Sequence, residues 1–335
     1  MGGQAQGGTT GGGVMLFALE ASADLGRAVS DALGQPLARH EERGFEDGEH
    51  KARPLDGVDG ADVYVLQSLH GGPDQSASDK LCRLLFFIGA LKDAGAARVT
   101  AVAPYLCFAR KDRRTKPGDP VTTRYVGAMF DAIGADVVVT LDVHNPAAFE
   151  NAHRGRTVAL TAAPLFVDYV AGLGEGPFCV LSPDPGGVKR AELFREGLEA
   201  RLGVPVGKAF ADKHRSAGVV TGELLVGDVG GATVLIIDDL VSTGGTLARA
   251  ARAAMRAGAR RAIALVTHGL FMPGAAEALA DPALERVVAT DAVPAFRLGD
   301  HPVRAKIDVL PAAPLLAEAI RRLSERRSLD DLMVV

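Results

Sequence analysis

The sequence predicts an α/β protein built as two similar doubly wound domains with parallel sheets, and three observations carry that prediction. Short apolar runs recur along the chain, and Ala/Leu-rich stretches of helical period, often closed by Gly, separate them. The runs are continuously apolar rather than alternating, as strands covered on both faces must be. One helix-Gly-strand unit also occurs twice: AGAAR before VTAVAPY (residues 94–105) and AGARR before AIALVTH (residues 257–268).

In chain order the expected strands are residues 14–19 (VMLFAL), 62–68 (DVYVLQS), 98–104 (RVTAVAP), 136–143 (DVVVTLDV), 177–183 (PFCVLSP), 232–239 (ATVLIIDD) and 262–268 (AIALVTH). The spacers between them suit right-handed crossovers. A change of domain is expected near residues 153–164, which gives units of 14–158 and 159–310. Residues 1–13 (MGGQAQGGTTGGG) read as a disordered leader, since so many glycines resist ordering. Residues 311–335 read as a C-terminal helix and tail, the helix amphipathic with a solvated Arg face.

With 335 residues, of which 47% are hydrophobic and 23% charged, the chain can bury a large core. Thirty-seven basic against 41 acidic residues leave a net charge of −4, so no global positive field draws it to nucleic acid or to an anionic membrane. No apolar run has the length of a membrane helix. Three scattered cysteines, Cys82, Cys107 and Cys179, show no metal-ligand spacing and no disulfide framework, which suits a reducing cytoplasm.

The sharpest chemical signal is TVLIIDDLVSTGGTLARAARAAMRAG, residues 233–258. A buried strand delivers Asp238 and Asp239 to its end, and Ser242, Thr243, Gly244, Gly245 and Thr246 form a tight turn at the start of a helix. Outward backbone amides, two glycines and a helix dipole make that turn a phosphate cradle. The acidic pair repels phosphate and suits ribose hydroxyls or a hydrated Mg2+. This is a motif of proteins that bind ribose 5-phosphate or its 1-diphosphate, and alone it does not separate an enzyme that makes the diphosphate from one that consumes it.

Four further segments accompany it. Phe45-Glu46-Asp47-Gly48-Glu49 joins an aromatic stacking face to carboxylates that accept from an exocyclic amine. Arg110, Lys111, Arg113 and Arg114 follow an apolar strand, at the sheet edge where α/β folds bind ligands. Asp142 and His144 in TLDVHNP, and Asp184 in SPDPGGVKR, end two more strands; chemistry alone favours the oxygens of Asp142 over an imidazole for a hard cation. Lys213 and Arg215 stand in a polar loop, residues 210–231.

Together these segments resemble the ribose-phosphate diphosphokinase (PRPP synthetase) family, from about residue 15 to residue 310. The resemblance implies two domains of phosphoribosyltransferase type. It also implies Mg2+-dependent transfer of the β,γ-diphosphoryl group of ATP to the 1-hydroxyl of ribose 5-phosphate, giving PRPP and AMP without a covalent intermediate. By it, Phe45, Asp47, Glu49, Arg110 and Lys111 hold ATP, the first three from a neighbouring subunit of a homo-oligomer. Asp238, Asp239 and Ser242 to Thr246 hold ribose 5-phosphate, His144 and Asp184 hold Mg2+, and Lys213 and Arg215 are catalytic. The chain departs from the family with Lys111 in place of Gln, with NPAAFENAH after Asp142-Val143-His144, with Ser242 in the sugar loop and with Gly118 in KPGDP. The last two resemble nonallosteric, archaeal-like members and imply activity nearly independent of free phosphate. A phosphoribosyltransferase would explain the sugar loop but not residues 45–49 and 110–114. A catalytically silent associated subunit would keep the fold, and Lys213 and Arg215 argue against it.

Overall fold

The computed structural model describes residues 14–174, 176–216 and 219–333, and for residues 212–224 the backbone alone. The leader, residues 1–13, lies outside the described residues. The N-terminal lobe runs β1 (Met15–Ala18), α1 (Ala23–Leu33), β2 (His40–Gly44), β3 (His50–Pro54), β4 (Asp62–Leu66), α2 (Ala77–Asp93), β5 (Arg98–Val102), α3 (Thr122–Ile133), β6 (Val137–Leu141), α4 (Pro146–Ala152) and β7 (Arg156–Leu160). Its five-stranded sheet has the order β1-β4-β5-β6-β7, and every pairing is parallel. The second lobe runs α5 (Ala163–Ala171), β8 (Phe178–Ser182), α6 (Val188–Leu202), β9 (Gly207–Ser216), β10 (Val219–Val226), β11 (Thr233–Val241), α7 (Gly245–Arg256), β12 (Arg261–Gly269), α8 (Ala275–Leu279), β13 (Arg286–Thr290), β14 (Ile307–Leu310) and α9 (Ala313–Ser324). Its seven strands are ordered β10-β9-β8-β11-β12-β13-β14, with β10 antiparallel.

Removing each lobe's hairpin leaves the same order twice, β1-β4-β5-β6-β7 and β8-β11-β12-β13-β14. The strands β1 and β8 begin at residues 15 and 178, and β5 and β12 at residues 98 and 261, a separation of 163 in both cases. The repeated helix-Gly-strand unit is therefore one element of a whole-lobe repeat. Its glycines, Gly95 and Gly258, share a left-handed backbone, φ +90° and +92°, that a Cβ would strain. In the first lobe the hairpin β2-β3 is a separate two-stranded sheet; in the second it extends the main sheet.

Sequence chemistry explains the layers. Along β6, Val138 packs into one core while Val137, Val139 and Leu141 pack into another, so a run of valines serves both faces. One face of the first sheet is covered by α2, α3 and Phe149 of α4. The other joins α1, α5, α6, α9 and one face of the second sheet in a single core through the centre of the molecule. The remaining face of the second sheet packs on α7 and α8. Ser76 caps α2 with a reciprocal bond to Asp79, and Gly34, Gly134 and Gly203 close α1, α3 and α6 in left-handed conformation.

Two expectations need correction. The C-terminal helix does not turn an idle Arg face to solvent. Its apolar side, including Leu316, Ile320 and Leu323, is buried; Arg321 donates to the Ala32 carbonyl of α1 (3.1 Å), and Arg98 of β5 donates to Leu323 O (3.2 Å). The chain's end thus ties the second lobe back onto the first. Of residues 210–231, read as a polar loop, residues 210–216 and 219–226 lie in the antiparallel strands β9 and β10, with Lys213 opposite Glu223 and Arg215 opposite Val220.

Candidate active site between the lobes

The C-terminal ends of β5, β6, β11 and β12 converge on one cleft, lined by Tyr105, Arg110, Asp142, His144, Asp239 and His268 among others. Residues beyond parallel-strand ends are free to bind because the ladder no longer claims their backbone. Arg110 and His144 come from the first lobe and Asp239 from the second, so the cleft belongs to both.

His144 Nδ1 lies 2.7 Å from Asp239 Oδ2. This bond raises the pKa of the imidazole, favouring its cationic form. Burial opposes ionisation of Asp239, yet the hydrogen bond with His144 and the charge of Arg190 hold its carboxyl below the usual carboxylate range. Asp238 moves the other way, because burial and the adjacent Asp239 both disfavour a second negative charge. Arg190, in the first turn of α6, stands 3.6 Å from a carboxylate oxygen of each aspartate. Arg190 thus pairs with the acidic couple.

The sugar turn follows β11 as expected. Gly244 is the N-cap of α7 at φ +74°, and no side chain caps the helix. A Cβ on Gly244 would stand 3.0 Å from Leu279 of α8, so both backbone and packing require glycine. Ser242 is held by its carbonyl, which accepts from Met272 N (2.9 Å). Among the described residues, the amides of Thr243 to Thr246 find no acceptor, leaving a ring of donors at a helix start. Thr246 Oγ1 accepts from Arg249 (3.2 Å), which brings a cation to the same turn.

The basic segment divides. Arg110 is exposed at the cleft, whereas Lys111 Nζ donates to Asp119 Oδ2 (2.6 Å) and to Thr115 Oγ1 (3.1 Å). Asp119 also accepts from the amides of Thr115 and Lys116, and its carboxyl lies well below the usual range, first through the hydrogen bond from Lys111. Lys111 is thus the anchor of the KPGDP turn rather than an open cation. Asn145 caps α4 by accepting from Ala148 N (3.1 Å) and donates to Asp112 Oδ2 (2.6 Å), which pins the basic segment beside His144.

Asp142 is the clearest departure from chemical expectation. Its side chain is buried, and Oδ2 accepts from Ala162 N (2.9 Å) and from Thr267 Oγ1, so it faces the lobe seam and not a cation. Asp184 Oδ1 accepts from Gly186 N (2.9 Å) and Gly187 N (3.2 Å), an arrangement that fixes the carboxylate and leaves Oδ2 for a ligand. Among the described residues no three His, Cys, Asp or Glu side chains form a metal cage. A Mg2+ here would keep most of its waters and share substrate oxygens, with Asp184 Oδ2 the hard oxygen open to it and His144 Nε2 a ligand only once the imidazole has lost its proton.

Phe45, Asp47 and Glu49 sit at the tip of β2-β3, outside the residues lining the cleft. Phe45 is 38% exposed, with Arg43 5.1 Å from its ring centre, and Asp47 accepts from Glu49 N (3.0 Å). The side chains of Lys213 and Arg215 lie outside the described residues. Sequence reading missed Tyr105, Thr267 and His268; the last two end an apolar run as Asp142 and His144 do, and that shared placement was the available signal.

A family model of the N-terminal domain of ribose phosphate pyrophosphokinase matches residues 14–134, and one of a phosphoribosyl synthetase-associated domain matches residues 222–334. The chain is 36% identical over 320 residues to a ribose-phosphate pyrophosphokinase of Hyphomonas neptunium, covering 95% of this chain and 98% of that protein. It is 37% identical over 320 residues to the enzyme of that name from Caldanaerobacter subterraneus, covering 95% and 96%. Among solved structures, the phosphoribosylpyrophosphate synthetase of Mycobacterium smegmatis superposes with a TM-score of 0.83 at 33% identity, over 93% of this chain and 99% of that one.

Proposed function

The chain belongs to the ribose-phosphate pyrophosphokinase family, and from that premise we propose how its residues transfer the β,γ-diphosphoryl group of ATP to the 1-hydroxyl of ribose 5-phosphate. The observation that carries the reading is the juxtaposition across the seam: Arg110 and His144 on one lobe face Asp239 on the other, at the strand end from which the Ser242–Thr246 turn follows.

The amides of Thr243 to Thr246 receive the 5-phosphate, favoured by the dipole of α7. Asp238 and Asp239 accept from the ribose hydroxyls, with Arg190 and His144 offsetting their charge. Ser242 shapes the turn through its backbone. Arg110 meets the polyphosphate, and Lys111 keeps the arm that carries it in place. Phe45, Asp47 and Glu49 serve the adenine of a neighbouring subunit, a role supported by their exposure at a hairpin tip; the working unit is then a homo-oligomer. His144 and Asp184 would hold Mg2+, which when bound offsets charge on the diphosphoryl group. Lys213 and Arg215 close over the transferring group and keep water from it. Catalysis here is positioning and charge stabilisation, because the 1-hydroxyl attacks the β-phosphorus directly and AMP leaves.

Purified chain given ATP, ribose 5-phosphate and Mg2+ is expected to release AMP only when the sugar phosphate is present. AMP release independent of the sugar, or release that needs a nitrogenous base, would contradict the reading.

A further inference from the structure

We propose that Asp142 is a positioning residue which, through Thr267, sets the spacing between the nucleotide-binding and sugar-binding lobes; the proposal rests on the function given above. Asp142 follows β6 with a left-handed backbone, φ +39°, a conformation that non-glycine residues hold only where their surroundings impose it. Those surroundings are polar and belong to different parts of the chain. One oxygen, Oδ2, accepts from Ala162 N in the connector between the lobes and from Thr267 Oγ1 at the end of β12 in the second lobe. The preceding carbonyl, Leu141 O, lies 2.7 Å from His268 Nε2 of the same strand end. Two residues later His144 reaches Asp239 at the end of β11.

Four consecutive residues of the first lobe therefore make three contacts with the second, on two neighbouring strand ends. Asp142 is only 6% exposed and His268 only 3%, so water does not compete for the bonds that join them to the opposite strand ends. The carboxylate that ties β6 to β12 also sets the start of the backbone leading to His144. Loss of the Thr267 bond would let the lobes shift relative to one another while each lobe's own binding groups stay intact. A displacement near 1 Å costs a bimolecular group transfer up to ~100-fold in rate while leaving separate binding of each substrate little changed.

The test compares full-length wild type with Thr267→Val, which keeps the side chain's shape and removes its hydroxyl, and Thr267→Ser, which keeps the hydroxyl. Thr267→Val is expected to lower kcat by ~10-fold or more with KM for ATP and for ribose 5-phosphate each within about twofold of wild type. Thr267→Ser is expected to recover kcat to within about threefold. Asp142→Asn, which retains an oxygen able to accept from both donors, is expected to lie nearer wild type than Thr267→Val. An unchanged kcat in Thr267→Val, an equal loss in Thr267→Ser, or a Thr267→Val chain that no longer folds would overturn the proposal. Wild type unable to form AMP from both substrates would instead overturn the function on which it rests.

Discussion

His144 Nδ1 and Asp239 Oδ2 stand 2.7 Å apart although 95 residues separate them, and the bond crosses from the end of β6 to the end of β11. In the proposed function this contact joins the polyphosphate side, on the lobe of His144, to the sugar side, on the lobe of Asp239.

Asp239→Asn removes the charge that His144 and Arg190 both face. We expect kcat for AMP formation to fall by roughly two to three decades, the scale of losing one charge-assisted contact in a desolvated site. A loss under threefold would show that Asp239 is a bystander.

At Gly244 the expected effect is on binding. An alanine there meets an unfavourable φ and pushes on Leu279 of α8, which costs roughly 1 to 2 kcal/mol and distorts the amide ring. Gly244→Ala should raise KM for ribose 5-phosphate by ~10-fold or more and change KM for ATP little. Titration of each ligand by calorimetry checks the asymmetry.

Arg110 and Lys111 are adjacent in sequence and differ in task. Since Lys111 is committed to Asp119, Lys111→Met should raise KM for ATP no more than about threefold, while Arg110→Met raises it by ~10-fold or more, as expected for a charge-assisted phosphate contact. Equal effects would mean that Lys111 leaves Asp119 when nucleotide binds.

Stability should rise in alkali through Lys80. This side chain is buried under the lobe seam, with Nζ 3.4 Å from both ring nitrogens of His70, and among the described residues it has no ion-pair partner. Burial and then the charge of Arg297 bring its pKa down to about 8, so between pH 8 and 10.5 the unfolded chain binds the proton that the native chain has released. Unfolding free energy therefore climbs with pH across that window, by roughly 2 to 3 kcal/mol. His70, lowered to about 4 first by burial, acts in the same sense at low pH, where stability falls as pH drops from 6.5 towards 4. Urea midpoints at pH 8 and pH 10 for wild type and Lys80→Met check this, and the variant should lose the alkaline rise.

Much of this architecture was legible in the residues. The seven apolar runs are strands because a parallel sheet buried on both faces admits little else, and Asp238–Thr246 runs from strand end through a tight turn to a helix start because Gly244 tolerates the left-handed backbone that turn needs. What escaped had weaker local signals. Strands β7 (RTVAL), β13 (RVVAT) and β14 (IDVL) have apolar runs cut short by Arg, Thr or Asp, and β7 lies where a change of domain was expected. The hairpin β9-β10 escaped because the DKHRS end of β9 is polar, Gly222 interrupts the apolar residues of β10, and its order comes from pairing at the sheet edge. Asp142, Lys111 and Arg190 illustrate a deeper limit. Residue type announces a charge, but the partner that consumes it, Thr267, Asp119 or the acidic pair, is set by tertiary structure.

The most direct measurement follows the label of ATP carrying 32P in its β-phosphate, incubated with the protein, Mg2+ and ribose 5-phosphate. The account predicts that the label moves to the sugar in step with AMP, one for one. Label recovered in ADP or in free phosphate, with no labelled sugar, would contradict a diphosphoryl group passing intact across the seam between Arg110 and the Ser242–Thr246 turn.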